Sequence, residues 1–317
     1  MNDRNPVFVS SSSVRSVLRN QFLVIVGDSV MRGIYKDIVA LLQNDDLLDH
    51  FELKSKGEFA FRGDKLIEGG KMKEMTNCIQ YKEVRQYRSD FHLVRFYFVT
   101  RCFGEYIDTI LKDFVQFPPD IVIMNSCLWD ITRWGPSSVK MFEERLPRLF
   151  KALNNCLQPH CLFIWTSTLP VHTDLHGGFL VPEIVYKKHT LRLDIVEANW
   201  FAQKVCREFE RDFFDLNYHI RDLQEKFQIK DGVHWNSVAH RHFSTYIISY
   251  IADSLRIPIE DNFVYTNLEE QDQEFATDVQ SFESVEYPQN KSKFGPIRSY
   301  DVDFRNCRKK ISYEDLR

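Results

Sequence analysis

Short runs of consecutive apolar residues alternate along this chain with stretches in which apolar positions recur every three or four residues. Leu23-Val-Ile-Val26 is the first run, as expected of a central strand covered on both faces. Val30, Ile34, Ile38, Leu41 and Leu42 follow at helical spacing, with Lys36, Asp37 and Gln43 between them. The pattern predicts a strand–turn–helix unit with Ser29 at the turn. Further strands are expected over His92–Val99, Asp120–Asn125, Cys161–Trp165 and Phe213–Leu216. Helices are expected over Glu105–Val115, Ser138–Leu157 (bent near Pro147), Leu191–Arg211 and Ser237–Leu255, the first stopped by Pro118-Pro119. Residues 50–91 are irregular, with Gly57, Gly63, Gly69, Gly70 and many charges, and predict only one short strand near Phe51–Leu53.

Strands alternating with helices imply a mainly parallel sheet with helices on both faces, whose sites form at the carboxyl ends of the strands. Ser29 and Asn125 both fall at such ends, and the segment Asp231–Trp235 reaches the same edge if it precedes the last helix. Three regions are expected: a flexible N-terminus over 1–19, a folded domain over 20–256, and an acidic, largely disordered tail over 257–317. The tail's final portion, Arg305 to Lys310, is basic and reads first as a solvated end, with contact to a protein partner as the alternative.

The net charge of −4 offers no electrostatic footprint for nucleic acid or an anionic membrane. The seven cysteines are odd in number and show no CxxC spacing, so they read as buried thiols in a reducing compartment. No apolar leader segment and no membrane-length apolar run is present. The expectation is an intracellular protein, cytoplasmic or nuclear.

The chemistry concentrates in two segments. Gly27-Asp28-Ser29 puts a hydroxyl where a strand gives way to a helix, with its backbone N–H at the helix N-terminus. Asp28 or Ser29 at this position also suits a helix cap. Asp231-Gly-Val-His234 allows a turn to fold a carboxylate onto an imidazole, which fixes the tautomer and supports the imidazolium. Ser29, His234 and Asp231 thus supply a nucleophile, a general base and its orienting acid. Asn125 is a candidate second oxyanion donor beside the Ser29 N–H. Asp28, Arg32, Asp130 and Trp235 are candidate site supports, each with a structural alternative: a cap, a salt bridge, a cap and a core aromatic. No HExxH, zinc spacing, Walker loop or GxGxxG occurs, so neither metal nor cofactor is expected.

Together, Val24-Ile-Val-Gly-Asp-Ser-Val-Met-Arg32, Ile121-Val-Ile-Met-Asn-Ser-Cys-Leu-Trp-Asp130 and Asp231-Gly-Val-His-Trp235 resemble the PC-esterase group of the GDSL/SGNH-like acyl-esterase superfamily, and within it the PC-esterase domain-containing protein 1 family. The resemblance covers roughly residues 20–256. It implies a flavodoxin-like three-layer α/β/α sandwich, the SGNH hydrolase fold. It also implies Ser29 as nucleophile, Asp231 and His234 as its relay, and Asn125 as oxyanion donor. The superfamily's second-block glycine has only imperfect candidates here, Gly57, Gly63 and Gly104. The implied reaction is acyl-ester hydrolysis or transfer on a small molecule or biopolymer, without cofactor. The alternative is a binding module that retains the fold.

Overall fold

The buried run Leu23–Val26 belongs to a strand hydrogen-bonded to parallel neighbours on both sides. The computed structural model describes residues 7–70, 78–176, 179–180, 182–259 and 262–264. In chain order the elements begin with β1 (Val7–Val9), α1 (Ser11–Val17), β2 (Phe22–Gly27), α2 (Ser29–Leu41), α3 (His50–Lys54), β3 (Lys65–Gly69), β4 (Glu83–Arg88) and β5 (Leu93–Phe98). They continue with α4 (Glu105–Gln116), β6 (Ile121–Asn125), α5 (Cys127–Arg133), α6 (Ser138–Cys156), β7 (Leu162–Thr166), α7 (Leu191–Glu208) and β8 (Asp212–Phe214). Last come α8 (Leu216–Ile220), α9 (Gln224–Phe227), α10 (Ser237–Leu255) and β9 (Asn262–Val264).

The main sheet runs β3-β4-β5-β2-β6-β7-β8. Its five strands from β5 to β8 are parallel, and β4 and β3 extend it as antiparallel strands. The parallel strands, counted in chain order, lie as 2-1-3-4-5, the flavodoxin-like order. Alternate residues of β2 serve opposite faces. Leu23 and Ile25 pack with α1, α2 and α10, while Val24 and Val26 pack with α4, α6 and α7. The result is the expected three-layer α/β/α arrangement. Between β2 and β6 the winding direction reverses, which leaves a recess at the carboxyl ends of these strands.

Several local expectations need correction. The segment expected as a flexible lead-in forms β1 and α1. β1 pairs with β9, so ordered structure also continues past residue 257. In the Ser-rich stretch Ser10 caps α1 by accepting from the Ser13 N–H, while Phe8, Val14 and Val17 are buried. Residues 1–6 and the tail from 265 on lie outside the described residues. Phe51–Leu53 lies in α3, not a strand, because Asp49 and Glu52 form a capping box. The strand expected to reach Leu216 stops at Phe214, where Asp215 caps α8. α6 continues through Pro147. No helix among the described residues is long and apolar enough to cross a membrane.

The missed strand β4 reads Glu-Val-Arg-Gln-Tyr-Arg, too polar for an interior strand. Glu83 and Arg85 are buried in it because they are paired. Arg85 donates from Nε and Nη2 to the two Asp64 oxygens (2.8 and 2.9 Å), and Glu83 accepts from Arg32 (2.9 Å) and Tyr81 (2.7 Å). α2 carries a second buried pair. Arg241 Nε lies 3.2 and 3.1 Å from the Asp37 oxygens, and its Nη atoms donate to the carbonyls of Asp45 (3.0 Å) and Asp46 (2.7 Å). This pair locks α2 to α10. Removing one member leaves the other charge buried without a partner, which costs about 3–5 kcal/mol. Arg241→Met is therefore expected to lower unfolding free energy in urea by about that amount. The double variant Asp37→Leu/Arg241→Met should recover part of the loss.

Candidate active site

Asp28 ends β2 and caps α2 by accepting the Val30 N–H (2.9 Å), and burial raises its carboxyl pKa. This turn makes Ser29 the first residue of the helix and leaves its hydroxyl half-exposed beside the recess. Ser29 Oγ lies 2.7 Å from His234 Nε2. On the other side of the ring, Nδ1 lies 2.6 Å from Asp231 Oδ2. An ionised carboxylate only accepts, so Nδ1 carries the proton and Nε2 accepts from the serine hydroxyl. The Asp231 Oδ1 accepts two backbone N–H groups, from Val233 (2.8 Å) and His234 (2.9 Å). Burial opposes ionisation of Asp231, but the His234 contact and these N–H groups hold its carboxyl below the usual range. The spacing seen in sequence therefore produces a turn that folds the acid onto the ring.

Backbone contacts from a second loop fix that turn. His172 N–H donates to the Gly232 carbonyl (2.8 Å) and His176 N–H to the Asp231 carbonyl (3.0 Å). Gly232 has φ +77°, and a Cβ there would lie 2.6 Å from the Asp174 carbonyl oxygen, so only glycine fits. Immediately after the turn, Asn236 starts α10 by accepting the Ala239 N–H (2.9 Å). His240, one turn into α10, lies against α2. A Cβ on Gly33 would stand 2.2 Å from its Cε1. Burial, with the nearby His234, lowers the His240 pKa to about 3, so this ring is neutral. Gly232 lies inside the Asp231–Trp235 block, whereas Gly33, His172 and His240 carry no such motif.

The other candidate residues divide. Asn125 lies at the end of β6 beside Gly27, but its amide donates to the Thr166 carbonyl (2.6 Å) and Thr168 Oγ1 (3.1 Å). Both amide hydrogens thus have partners within the protein, and the carboxamide oxygen accepts from Cys127 N–H (3.1 Å). Trp235 is core: it is 1% exposed and stacks edge-on against Phe243. Asp130 is a buried brace that joins two strand ends, accepting from Cys102 N–H (2.7 Å) and Ser126 Oγ (2.7 Å). Arg32, one turn beyond Ser29, pairs with Glu83 and lies over Phe98, 5.6 Å from the ring centroid. The second-block candidates do not gather at Ser29. Gly104 precedes α4 against the Arg101 side chain, Gly63 faces open space, and Gly57 abuts Gly70. The recess of about 20 Å³, lined by Asp28, Asn125, Thr168 and Val233 among others, adjoins the serine turn.

No protein-family model matches this chain. It is similar to human PC-esterase domain-containing protein 1B, 44% identical over 251 residues that cover 78% of this chain and 58% of that protein. It is also similar to human PC-esterase domain-containing protein 1A, 42% identical over 251 residues, with 78% and 55% covered. The chain belongs to the PC-esterase domain-containing protein 1 family. It spans little more than half the length of these PC-esterase domain-containing protein 1 relatives. Solved structures similar to it include a peptidoglycan O-acetylesterase (9% identity, TM-score 0.45, 78% of this chain and 95% of that one). Others are the lipase/acylhydrolase from Enterococcus faecalis (14%, 0.43, 76% and 99%) and an acetylxylan esterase from Geobacillus stearothermophilus (11%, 0.41, 74% and 96%).

In this PC-esterase domain-containing protein 1 family member, burial pushes the Asp130 carboxyl up to about 7, against the hydrogen bonds that pull it down. An acid with a raised folded pKa holds its proton longer in the folded state than in the unfolded one. Its contribution to stability therefore declines as pH rises from about 4 to about 7. Urea unfolding across that range is expected to show this component in the wild type and not in Asp130→Asn.

Proposed function

We propose that this protein is a serine-dependent acyl esterase, or an acyltransferase by the same route, acting on an O-acyl ester. The observation that carries the reading is the continuous chain Ser29 Oγ–His234 Nε2 (2.7 Å) and His234 Nδ1–Asp231 Oδ2 (2.6 Å). His234 removes the serine proton as Oγ bonds to the ester carbonyl carbon, and Asp231 stabilises the imidazolium that results. The Ser29 N–H, at the start of α2, faces the developing oxyanion. Asn125 joins it by exchanging its longer bond, the 3.1 Å one to Thr168 Oγ1, for the substrate oxygen. His234 then returns the proton to the departing alkoxide, leaving Ser29 acylated. Water or an acceptor hydroxyl, deprotonated by His234, attacks the acyl carbon and frees the serine. The small recess beside Asn125 suits a short acyl group. The free thiols of all six described cysteines suit a reducing compartment, cytoplasm or nucleus.

One observation favours the alternative, a binding module that keeps the fold: neither amide hydrogen of Asn125 is free before substrate arrives. A fluorophosphonate probe decides between the two. Labelling is expected in the wild type, absent in Ser29→Ala, and slower by about a thousandfold or more in His234→Ala, with all three folded by circular dichroism. Undiminished labelling in His234→Ala would overturn the triad. A folded wild type that neither labels nor cleaves esters would establish the binding module.

A further inference from the structure

The strap from Glu52 to Glu58 is held from beneath by two buried cations. Lys36 Nζ donates to the carbonyls of Glu52 (2.7 Å) and Ser55 (2.8 Å) and lies 2.6 Å from Glu58 Oε1. Arg85 Nη1 donates to the Glu58 carbonyl (2.9 Å). Lys56 lies between these anchors, half-buried, and has no ion pair among the described residues. Its charged neighbours are Arg32 and Glu83, and burial together with the Arg32 charge lowers its pKa.

The nearby carboxylates are already engaged. Glu83 is fully buried and receives Arg32 (2.9 Å), Tyr81 (2.7 Å) and Arg85 (3.3 Å). Glu58 faces Lys36, Asp64 holds Arg85, and Asp28 caps α2. Arg32 meets Glu83 through Nη1 only, so its Nη2 and Nε have no acceptor among the described residues. It stands one turn beyond Ser29, its side chain 9% exposed and backed by Phe98. Arg32, one turn beyond Ser29, and Lys56, on the pinned strap, are thus like charges within reach of each other's field, and both have unused donors. The chemistry that satisfies both is a negative charge from outside.

We propose that Arg32 and Lys56 form an anion subsite beside Ser29, which receives a carboxylate or phosphate group carried by the ester substrate. This rests on the esterase reading, and it specifies that the substrate is an anionic ester rather than a neutral one. Arg32 supplies fixed donors, because Glu83 and Phe98 hold its plane. Lys56 supplies a mobile charge that closes over the bound group.

Binding and turnover test the two readings separately. Inorganic phosphate and succinate are titrated against wild type, Ser29→Ala, Lys56→Ala and Lys56→Arg, and binding is read as a rise in melting temperature. At least one anion is expected to bind wild type and Ser29→Ala alike, to bind Lys56→Ala about tenfold more weakly, and to regain affinity in Lys56→Arg. Which anion binds tells phosphate from carboxylate. In turnover, 4-nitrophenyl hemisuccinate should be preferred over 4-nitrophenyl acetate, with the ratio falling about tenfold in Lys56→Ala. Equal anion affinity in wild type and Lys56→Ala would overturn the subsite. So would absence of anion binding in a wild type whose Ser29 labels with fluorophosphonate, and there the esterase reading would stand. Lys56-dependent anion binding in a protein that does not label would uphold the subsite and remove the esterase.

Discussion

The docking of α2 on α10 decides whether Ser29 meets His234. Ser29 is the first residue of α2, and His234 stands just before α10, 205 residues further along the chain. Their 2.7 Å contact is therefore set by how two helices lie against each other. Two contacts set that geometry. The Asp37–Arg241 pair, with side chains 0% and 1% exposed, fixes the helices along their length. The His240 ring on Gly33 fixes their approach, since no side chain fits between them. A flexible surface contact would let the serine and imidazole drift. A misplacement near 1 Å costs about a hundredfold in rate.

The same helix links the site to a buried ionic layer. Arg32, Lys36 and Asp37 follow Ser29 on α2 and are all buried. Each meets a partner from a different part of the chain: Glu83 on β4, Glu58 in the strap, and Arg241 on α10. Apolar residues would pack these positions with less desolvation cost, so charge here is weak evidence of stability. Its physical effect is geometric. A carboxylate–guanidinium pair in a dry environment tolerates one arrangement, whereas an apolar contact slides. The antiparallel strand β4 is tied in the same way to α2 through Glu83–Arg32 and to the segment before β3 through Arg85–Asp64.

Legibility in sequence followed this division. The parallel strands and the long helices were readable because burial on both faces leaves continuous apolar runs, as in Leu23–Val26. The contact of Ser29 with His234 and Asp231 was foreshadowed by a serine between a strand and a helix and by an acid three residues before an imidazole. β4 was not readable, since a strand whose interior residues are paired charges shows no apolar alternation. β1 and β9 were hidden because each is three residues long and depends on the other. Asn125 was placed correctly at the edge of the recess, yet no local pattern reveals that Thr166 and Thr168 occupy its amide. Of the two readings of Trp235, site support and core aromatic, the second holds, because the turn that exposes His234 sends the next side chain inward against Phe243.

The rate of fluorophosphonate labelling in Gly33→Ala tests the helix-docking account most directly. A methyl at position 33 has no space against the buried His240 ring. The account predicts labelling about a hundredfold slower than wild type, with much of the rate restored in Gly33→Ala/His240→Ala, where the ring is gone. Labelling of Gly33→Ala at the wild-type rate, or a folded double variant no faster than the single one, would contradict it.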